Sequence, residues 1–355
     1  MNARTLATGA QGAAARRLLE LINGNWATQA IGVAAGLGLA DRMAEGLTQE
    51  DALAAACDCD ADALRRLLRG LAALGLVHQE DGGHWRLGAT GELLRSDAAL
   101  SLNAHAQWWS RQAWAVWAEL MGSVRTGHSM RRRQRGQRGF EHLEADAATA
   151  QLFHRSMVEL TRLVAPGLAA SPLFPDRGVV MDLGGGHGVL LAEVLRCRPA
   201  LHGLLVDLDH AMAGARAHLQ GAGVADRVTL APGDFFVALP GPVDVVLLKS
   251  VLHDWDDAHA TRILQRAREA LAPGGRVLVI ERVMPARVAS RPEDRIRTRS
   301  DLNMLVGLGG RERTRQDYEA LLCASGLVLR RVLPAQAAFS VIEAGQGDEA
   351  PPALA

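Results

Sequence analysis

The sequence predicts an α/β protein: a doubly wound, mostly parallel sheet preceded by a smaller helical domain. Three observations carry this. From Gly178 onward, five short apolar runs alternate with stretches of helical spacing. The runs are continuous rather than alternating with polar residues, as in strands covered on both faces. The first run closes on VVMDLGGGHG, Val179 to Gly188, and VLLAEVLRCR follows at helical spacing. That is the strand, glycine turn and helix of a Rossmann-like unit.

The N-terminal segment MNARTLATGAQGAAARR lacks the apolar core of a signal peptide. No window offers about 18 uninterrupted apolar residues, so no membrane span is expected. Helical spacing, broken by glycines, runs from Arg16 through ADRMAEG. TQEDALAAA predicts a helix capped by Thr48, DADALRRLLRGLAALGLV a second, and HQEDGGHWRLG a hairpin. Two helices and a small wing, in that order, predict a winged-helix-like domain over residues 1–101. Arg65, Arg66 and Arg69 would lie on its recognition helix. The formal net charge is zero and the pI near 7.2, which supplies no basic surface for nucleic acid or an anionic membrane. These arginines therefore read as a solvated face, and the domain as an interaction module, most simply a dimer interface.

Residues 102–170 continue as helix and read as a linker that contributes to a substrate pocket. AHAQWWSRQAWAVWAEL holds four of the seven tryptophans. On a uniform helix Trp109, Trp114 and Trp117 share a broad face and Trp108 does not. The cluster reads as core, with a stacking wall for a flat ligand as the alternative. Arg131 to Arg138 form a basic loop, either solvated or turned toward an anionic substrate. QLFHRSMVELTRLVAPGL is an amphipathic helix with Pro166 close to its end.

Residues 171–344 supply the sheet. The strands are VVMDL, HGLLVDLD, RVTLAPGD, VDVVLLKS and GGRVLVIERV, with helices such as DDAHATRILQRAREAL between them. LVLRRVLP and AFSVIEA read as a closing antiparallel edge. Residues 345–355, GQGDEAPPALA, read as a disordered tail. The four cysteines form no CxxC pair, which speaks against a zinc site or disulfide framework and for a cytoplasmic location.

The first three strands each deliver an acid at the carboxyl end: Asp182, Asp207 and Asp234. An acid after the second strand suits ribose hydroxyls. An acid after the third, followed by Phe235, suits an adenine amine and its ring. A dinucleotide turn would place a glycine where Val189 stands. An adenosine without a pyrophosphate is therefore expected, and S-adenosylmethionine fits. After the fourth strand LKSVLHDWDD sets His253 at the mouth of the sheet, where it can accept a proton near neutral pH.

DLGGGHG, LVDLD, PGDFF, LKSVLHDWDD, APGGRVLVIERVMP and SDLNMLVGLGGRERT together resemble the small-molecule O-methyltransferases of plant caffeate type and of bacterial antibiotic and pigment biosynthesis. The resemblance spans about residues 16–344. It implies a homodimer, an aromatic small-molecule acceptor, S-adenosyl-L-methionine as cofactor with S-adenosyl-L-homocysteine as product, and no metal. It implies His253 as general base, flanked by Glu281 and Glu312. Cofactor contacts carry over to Gly184, Asp207, Asp234, Phe235 and Lys249, with Trp255 as a wall beside them. Met157, Met304 and Leu308 match positions that line the acceptor pocket. Leu308 stands where plant members carry Asn, and His187 where they carry Thr. Lys249 is the only lysine in the chain.

Overall fold

A computed structural model of the chain describes residues 9–130, 140, 143 and 146–347. The chain divides into two compact units, Met1–Trp114 and Ala115–Ala355. The basic loop from Arg131 to Arg138 and residues 348–355 of the expected tail lie outside the described residues. Among the described residues no helix is long and apolar enough to cross a membrane.

The first unit opens with α1 (Ala10–Asn23), which buries no residue and leaves Leu18, Leu19, Leu21 and Ile22 close to 60% exposed. Helix α2 (Asn25–Gly36) packs tightly at Gly32. A Cβ there would meet Ser110 Oγ at 2.0 Å, so only glycine permits the approach. Helices α3 (Leu39–Ala44), α4 (Glu50–Ala56) and α5 (Ala61–Ala73) precede a hairpin of β1 (Val77–Gln79) and β2 (Trp85–Leu87). Leu53, Leu64, Leu68, Leu71 and Trp85 form the core of this winged-helix arrangement. Trp85 Nε1 donates to Glu50 Oε1 at 3.1 Å, while Arg65 Nε donates to Glu50 Oε2 at 2.6 Å. Arg65 is thus tied to the same carboxylate as the core tryptophan.

Three local expectations are corrected here. Thr48 does not cap α4: the helix starts one residue later, Gln49 occupies the cap position, and the Thr48 hydroxyl bonds to His84 Nδ1 at 2.8 Å. The tryptophans do not lie on a uniform helix. Residues Trp109–Ala113 are π-helical, and the extra residue in that turn shifts the faces. Trp114 is exposed, whereas Trp108, Trp109 and Trp117 are half-buried. QLFHRSMVELTRLVAPGL is not one helix. The long helix α6 (Ala147–Arg162) stops earlier, and Pro166 sits in the first turn of α7 (Ala165–Ala169), where its missing N–H costs nothing.

The second unit holds a seven-stranded sheet. Its strands are β3 (Arg177–Leu183), β4 (Ala200–Asp207), β5 (Val228–Pro232), β6 (Val243–Lys249), β7 (Leu271–Glu281), β8 (Val328–Pro334) and β9 (Ser340–Gly345). Their order is β5-β4-β3-β6-β7-β9-β8. Strand β9 is antiparallel to both neighbours, β7 and β8. The closing pair is therefore antiparallel as expected, but the last strand is inserted and β8 forms the rim. Gly345, expected in the tail, pairs with Arg276 and Val328 instead.

Both faces are covered. Val180, Leu205, Val245 and Leu247 pack with Leu190, Leu191, Val194 and Leu195 of α8 (Val189–Cys197). Met181, Val246, Leu248, Val277 and Val279 pack with Ile263, Leu264 and Ala267 of α9 (Asp257–Glu269). Successive strand residues point to opposite faces, so continuous apolar runs are what two cores require. Strand β3 pairs with β4 on one side and β6 on the other, both parallel. The chain reverses its order there, which opens a crevice at the carboxyl ends of the strands.

Candidate active site

The turn after β3 is built from glycines in left-handed backbone. Gly184 has φ +74°, Gly186 +56° and Gly188 +73°. A Cβ at Gly184 would meet Val251 Cγ2 at 2.8 Å, whereas one at Gly186 would meet nothing within 4 Å. The backbone of the turn thus borders open space. Asp207, at the end of β4, reaches back to it: Oδ2 accepts from Gly186 N at 2.8 Å and Oδ1 from Leu208 N at 2.7 Å. Burial raises the Asp207 carboxyl above its ordinary range. Asp182 is buried beneath the turn and is pushed up to about 7 by that burial, with Lys249 opposing and Asp207 reinforcing the shift.

Asp234 follows β5 and accepts from Phe236 N at 2.8 Å, leaving its carboxylate exposed. Phe235, Phe236, Trp255 and His259 form one aromatic wall. Ring centroids are 5.9 Å apart for Phe235 and Trp255, 4.8 Å for Phe236 and Trp255, and 5.7 Å for the stacked Trp255 and His259. Lys249 ends β6 with Nζ 5.3 Å from the Phe339 ring centre. Burial and the neighbouring Arg282 lower its ammonium to about 8, against Glu281 and Asp182.

The second constellation gathers at the ends of β6 and β7. His253 lies on the turn Leu252–Asp254, Glu281 ends β7, and Glu312 precedes helix α11 (Arg315–Ala324), which follows α10 (Pro292–Val306). His253 and Glu312 are 6% exposed and Glu281 is fully buried. His253 Nδ1 stands 2.9 Å from Glu312 Oε1 and 3.3 Å from Glu281 Oε2. Nδ1 faces two carboxylates and so carries a proton, donated to Glu312 Oε1. Nε2 is left for chemistry, with Asp254 Oδ1 3.5 Å away.

Glu281 also anchors the turn itself. Its Oε1 accepts from Val251 N at 2.9 Å and Leu252 N at 3.0 Å. Burial opposes a charge on His253, but Glu281, Glu312 and Asp254 override it and raise the imidazole to about 10. Burial raises Glu281, with His253 opposing. Glu312 is lowered: burial is outweighed by His253 and by hydrogen bonds from His253 and Ser300.

Sequence reading missed the residues that hold this turn in place. Ser300 Oγ donates to Glu312 Oε1 at 2.6 Å. Arg313, fully buried, donates to Leu252 O and Trp255 O, each at 2.8 Å, and to Asp257 Oδ1 at 2.9 Å. A Cβ at Gly310 would lie 2.0 Å from His253 O. Arg313 stood within the quoted GGRERT motif, but the last residue of a charged triplet carries no signature of burial. The acceptor-pocket candidates lie on separate elements. Met304 is buried on α10, next to Asn303, whose Oδ1 accepts from Trp117 Nε1 at 3.0 Å. Met157 on α6 and Leu308 beyond α10 are half-buried. His187 of the glycine turn joins a histidine cluster: its ring is 5.9 Å from His154, which is 6.1 Å from His210.

An O-methyltransferase domain matches residues 117–328, and an O-methyltransferase dimerisation domain matches residues 19–97. The chain belongs to this O-methyltransferase family. This O-methyltransferase is 35% identical to a phenazine O-methyltransferase of Lysobacter antibioticus, over 92% of this chain and 95% of the relative. It is 37% identical to aclacinomycin 10-hydroxylase of Streptomyces purpurascens, over 86% and 83%. Among solved structures it is similar to an O-methyltransferase from neocarzinostatin biosynthesis in complex with S-adenosylmethionine and 2-hydroxy-5-methyl naphthoic acid. That match has TM-score 0.75 and 33% identity, and covers 90% of this chain and 96% of the other.

Proposed function

We propose that this S-adenosylmethionine-dependent O-methyltransferase methylates a hydroxyl of a polycyclic or heteroaromatic secondary metabolite, with His253 as general base. The observation that carries the reading is the imidazole pinned through Nδ1 by two buried carboxylates, which leaves Nε2 to take the proton of the acceptor. S-adenosylmethionine supplies an electrophilic methyl group. The residues present fit it: a glycine turn bordering open space, an acid at the end of the second strand of the sheet, and an aromatic wall beyond the third. In this reading Asp207 accepts from the ribose, Asp234 from the adenine amine, and Phe235 stacks on the base. Gly184, Lys249 and Trp255 complete the binding face, while Met157, Met304 and Leu308 line the acceptor side.

Glu281 and Glu312 orient the imidazole and increase its proton affinity. An imidazole near 10 matches a phenol of about 10, so proton transfer between them is close to isoenergetic. The remaining work is positioning of two reactants. His253→Ala is expected to keep cofactor affinity and lose roughly 10²–10⁴-fold in turnover. Near wild-type turnover in that variant, on the native acceptor, removes the assignment.

The likeness to a 10-hydroxylase sustains a second reading, in which the same fold and cofactor serve oxygenation. Product mass decides: methylation adds one CH₂ to the acceptor, hydroxylation one oxygen. We further read the first unit as a homodimer interface, supported by the exposed apolar stripe of α1. A cytoplasmic location accords with four free cysteines, and the pairing of Arg65 with Glu50 accords with no role for nucleic acid.

A further inference from the structure

We propose that His253, Glu281 and Glu312 also form a binding site for a first-row divalent cation, and that the bound ion reversibly switches the base off. The inhibitory half rests on the reading of His253 as base, whereas the binding half rests on geometry. One nitrogen and two carboxylate oxygens of these residues lie within 4.8 Å of one another, the one such group among the described residues. The two spacings from the imidazole nitrogen match those of a coordination shell. Nδ1 is 2.9 Å from one oxygen and 3.3 Å from the other. With metal–ligand bonds of about 2.1 Å, neighbouring ligands stand about 3.0 Å apart in an octahedron and about 3.4 Å apart in a tetrahedron. An imidazole with two carboxylates is a donor set that zinc and cobalt accept.

A second observation points to a cation. Glu281 Oε2, one of the two oxygens that face Nδ1, is buried and accepts no hydrogen bond. A buried carboxylate oxygen without a donor is costly, and an ion held there relieves that cost.

The chemical consequence follows from the two nitrogens. Acting as a base requires the hydrogen on Nδ1 and a lone pair on Nε2. An ion on Nδ1 takes the place of that hydrogen, and a neutral imidazole then bears its hydrogen on Nε2. From the doubly protonated ring, the Nδ1 proton leaves to solvent and Nε2–H remains. From the neutral ring, the proton lost at Nδ1 is regained at Nε2. In both cases the nitrogen intended for the acceptor becomes a donor and cannot take a proton. The ion holds the ring in the wrong tautomer, with the cofactor residues untouched.

The test uses the full chain stripped of metal. Co²⁺ is titrated with visible absorption as the readout, Zn²⁺ by calorimetry, and methyl transfer is followed in parallel. One ion per chain is expected. His253→Ala and Glu312→Gln should each weaken binding by about 10–100-fold or more, while unchanged S-adenosylmethionine affinity establishes that both variants are folded. Zn²⁺ should lower kcat without altering cofactor affinity, and chelation should restore it. Absence of stoichiometric binding overturns the inference. So does binding that survives His253→Ala but is lost in His154→Asn, which would put the ion among the other histidines. Binding at His253 without loss of turnover overturns the inhibitory role. If the metal-free wild type transfers no methyl group at all, the functional reading fails, and the cobalt spectrum still decides the site.

Discussion

His253 owes its character to what stands around it. Three carboxylates face the ring, and together they hold its proton more tightly than water does. The sign of the pH dependence follows. A histidine whose folded pKa is raised stabilises the fold fully below its unfolded pKa of about 6.5. That contribution is lost as pH rises through about 10. Catalysis runs the other way, since the base must be free, and its acid limb should lie well to the alkaline side of an ordinary imidazole. Glu312→Gln removes one of the facing charges, so the limb of kcat/KM should move to lower pH. A pH profile with an unmoved limb would show that Glu312 does not act on the ring. At the cofactor turn, Asp207→Ala should weaken S-adenosylmethionine binding by about 1.5–3 kcal/mol, the size of a lost hydrogen bond from a charged acceptor. Calorimetric titration measures it, and unchanged affinity would remove the ribose assignment. Asp207 and His253 stood out in the sequence because an acid after a strand and a histidine after the fourth are local patterns, whereas Glu281 and Glu312 came only from the resemblance to O-methyltransferases. It did not reveal that Glu281 accepts from the backbone N–H groups of the His253 turn, because such partners have no side-chain signature.

The elements were legible where periodicity is strong and were misread where a single residue breaks it. The β3 turn and the strands around it announce themselves through apolar runs and glycines. The π-helical turn at Trp109–Ala113 does not, since nothing in WSRQA distinguishes it from α-helix. Strand order was equally hidden. That β9 enters between β7 and β8 is decided by sheet edges far apart in the chain. The turn joining these last strands offers a test. Ala337 and Ala338 have φ of 53° and 62°, two successive left-handed residues in the turn Gln336–Phe339, with no glycine or asparagine to accommodate them. Left-handed backbone costs an L-residue roughly 1–2 kcal/mol, more than the roughly 0.4–1 kcal/mol of unfolded-state entropy that glycine adds. Ala338→Gly should therefore raise stability by up to about 1 kcal/mol. A denaturant midpoint that stays or falls would contradict the turn as described. Gly310→Ala tests the opposite case: its Cβ has no room beside His253 O. It should cost turnover far more than cofactor affinity, as steady-state kinetics beside calorimetry would reveal; equal losses in both would argue against a local effect.

At the scale of the whole molecule, zero net charge and a two-part pattern already pointed to a small-molecule enzyme with an interaction domain. What the sequence could not convey is how little of α1 its own unit covers, because exposure depends on neighbours rather than on helical spacing. Leu18→Glu with Ile22→Glu should convert a dimer to a monomer in light scattering. A monomeric wild type at micromolar concentration would remove the interface assignment. Proton transfer from an aromatic hydroxyl to His253 Nε2 during methyl transfer is probed by a series of acceptor phenols of decreasing pKa. Turnover of wild type and His253→Ala is compared across the series at one pH. With the base present, rate should depend weakly on phenol acidity; without it, the variant should fall far behind on weakly acidic phenols and recover toward wild type on the most acidic ones. Parallel dependence in the two proteins, with no recovery, would rule out His253 as the base.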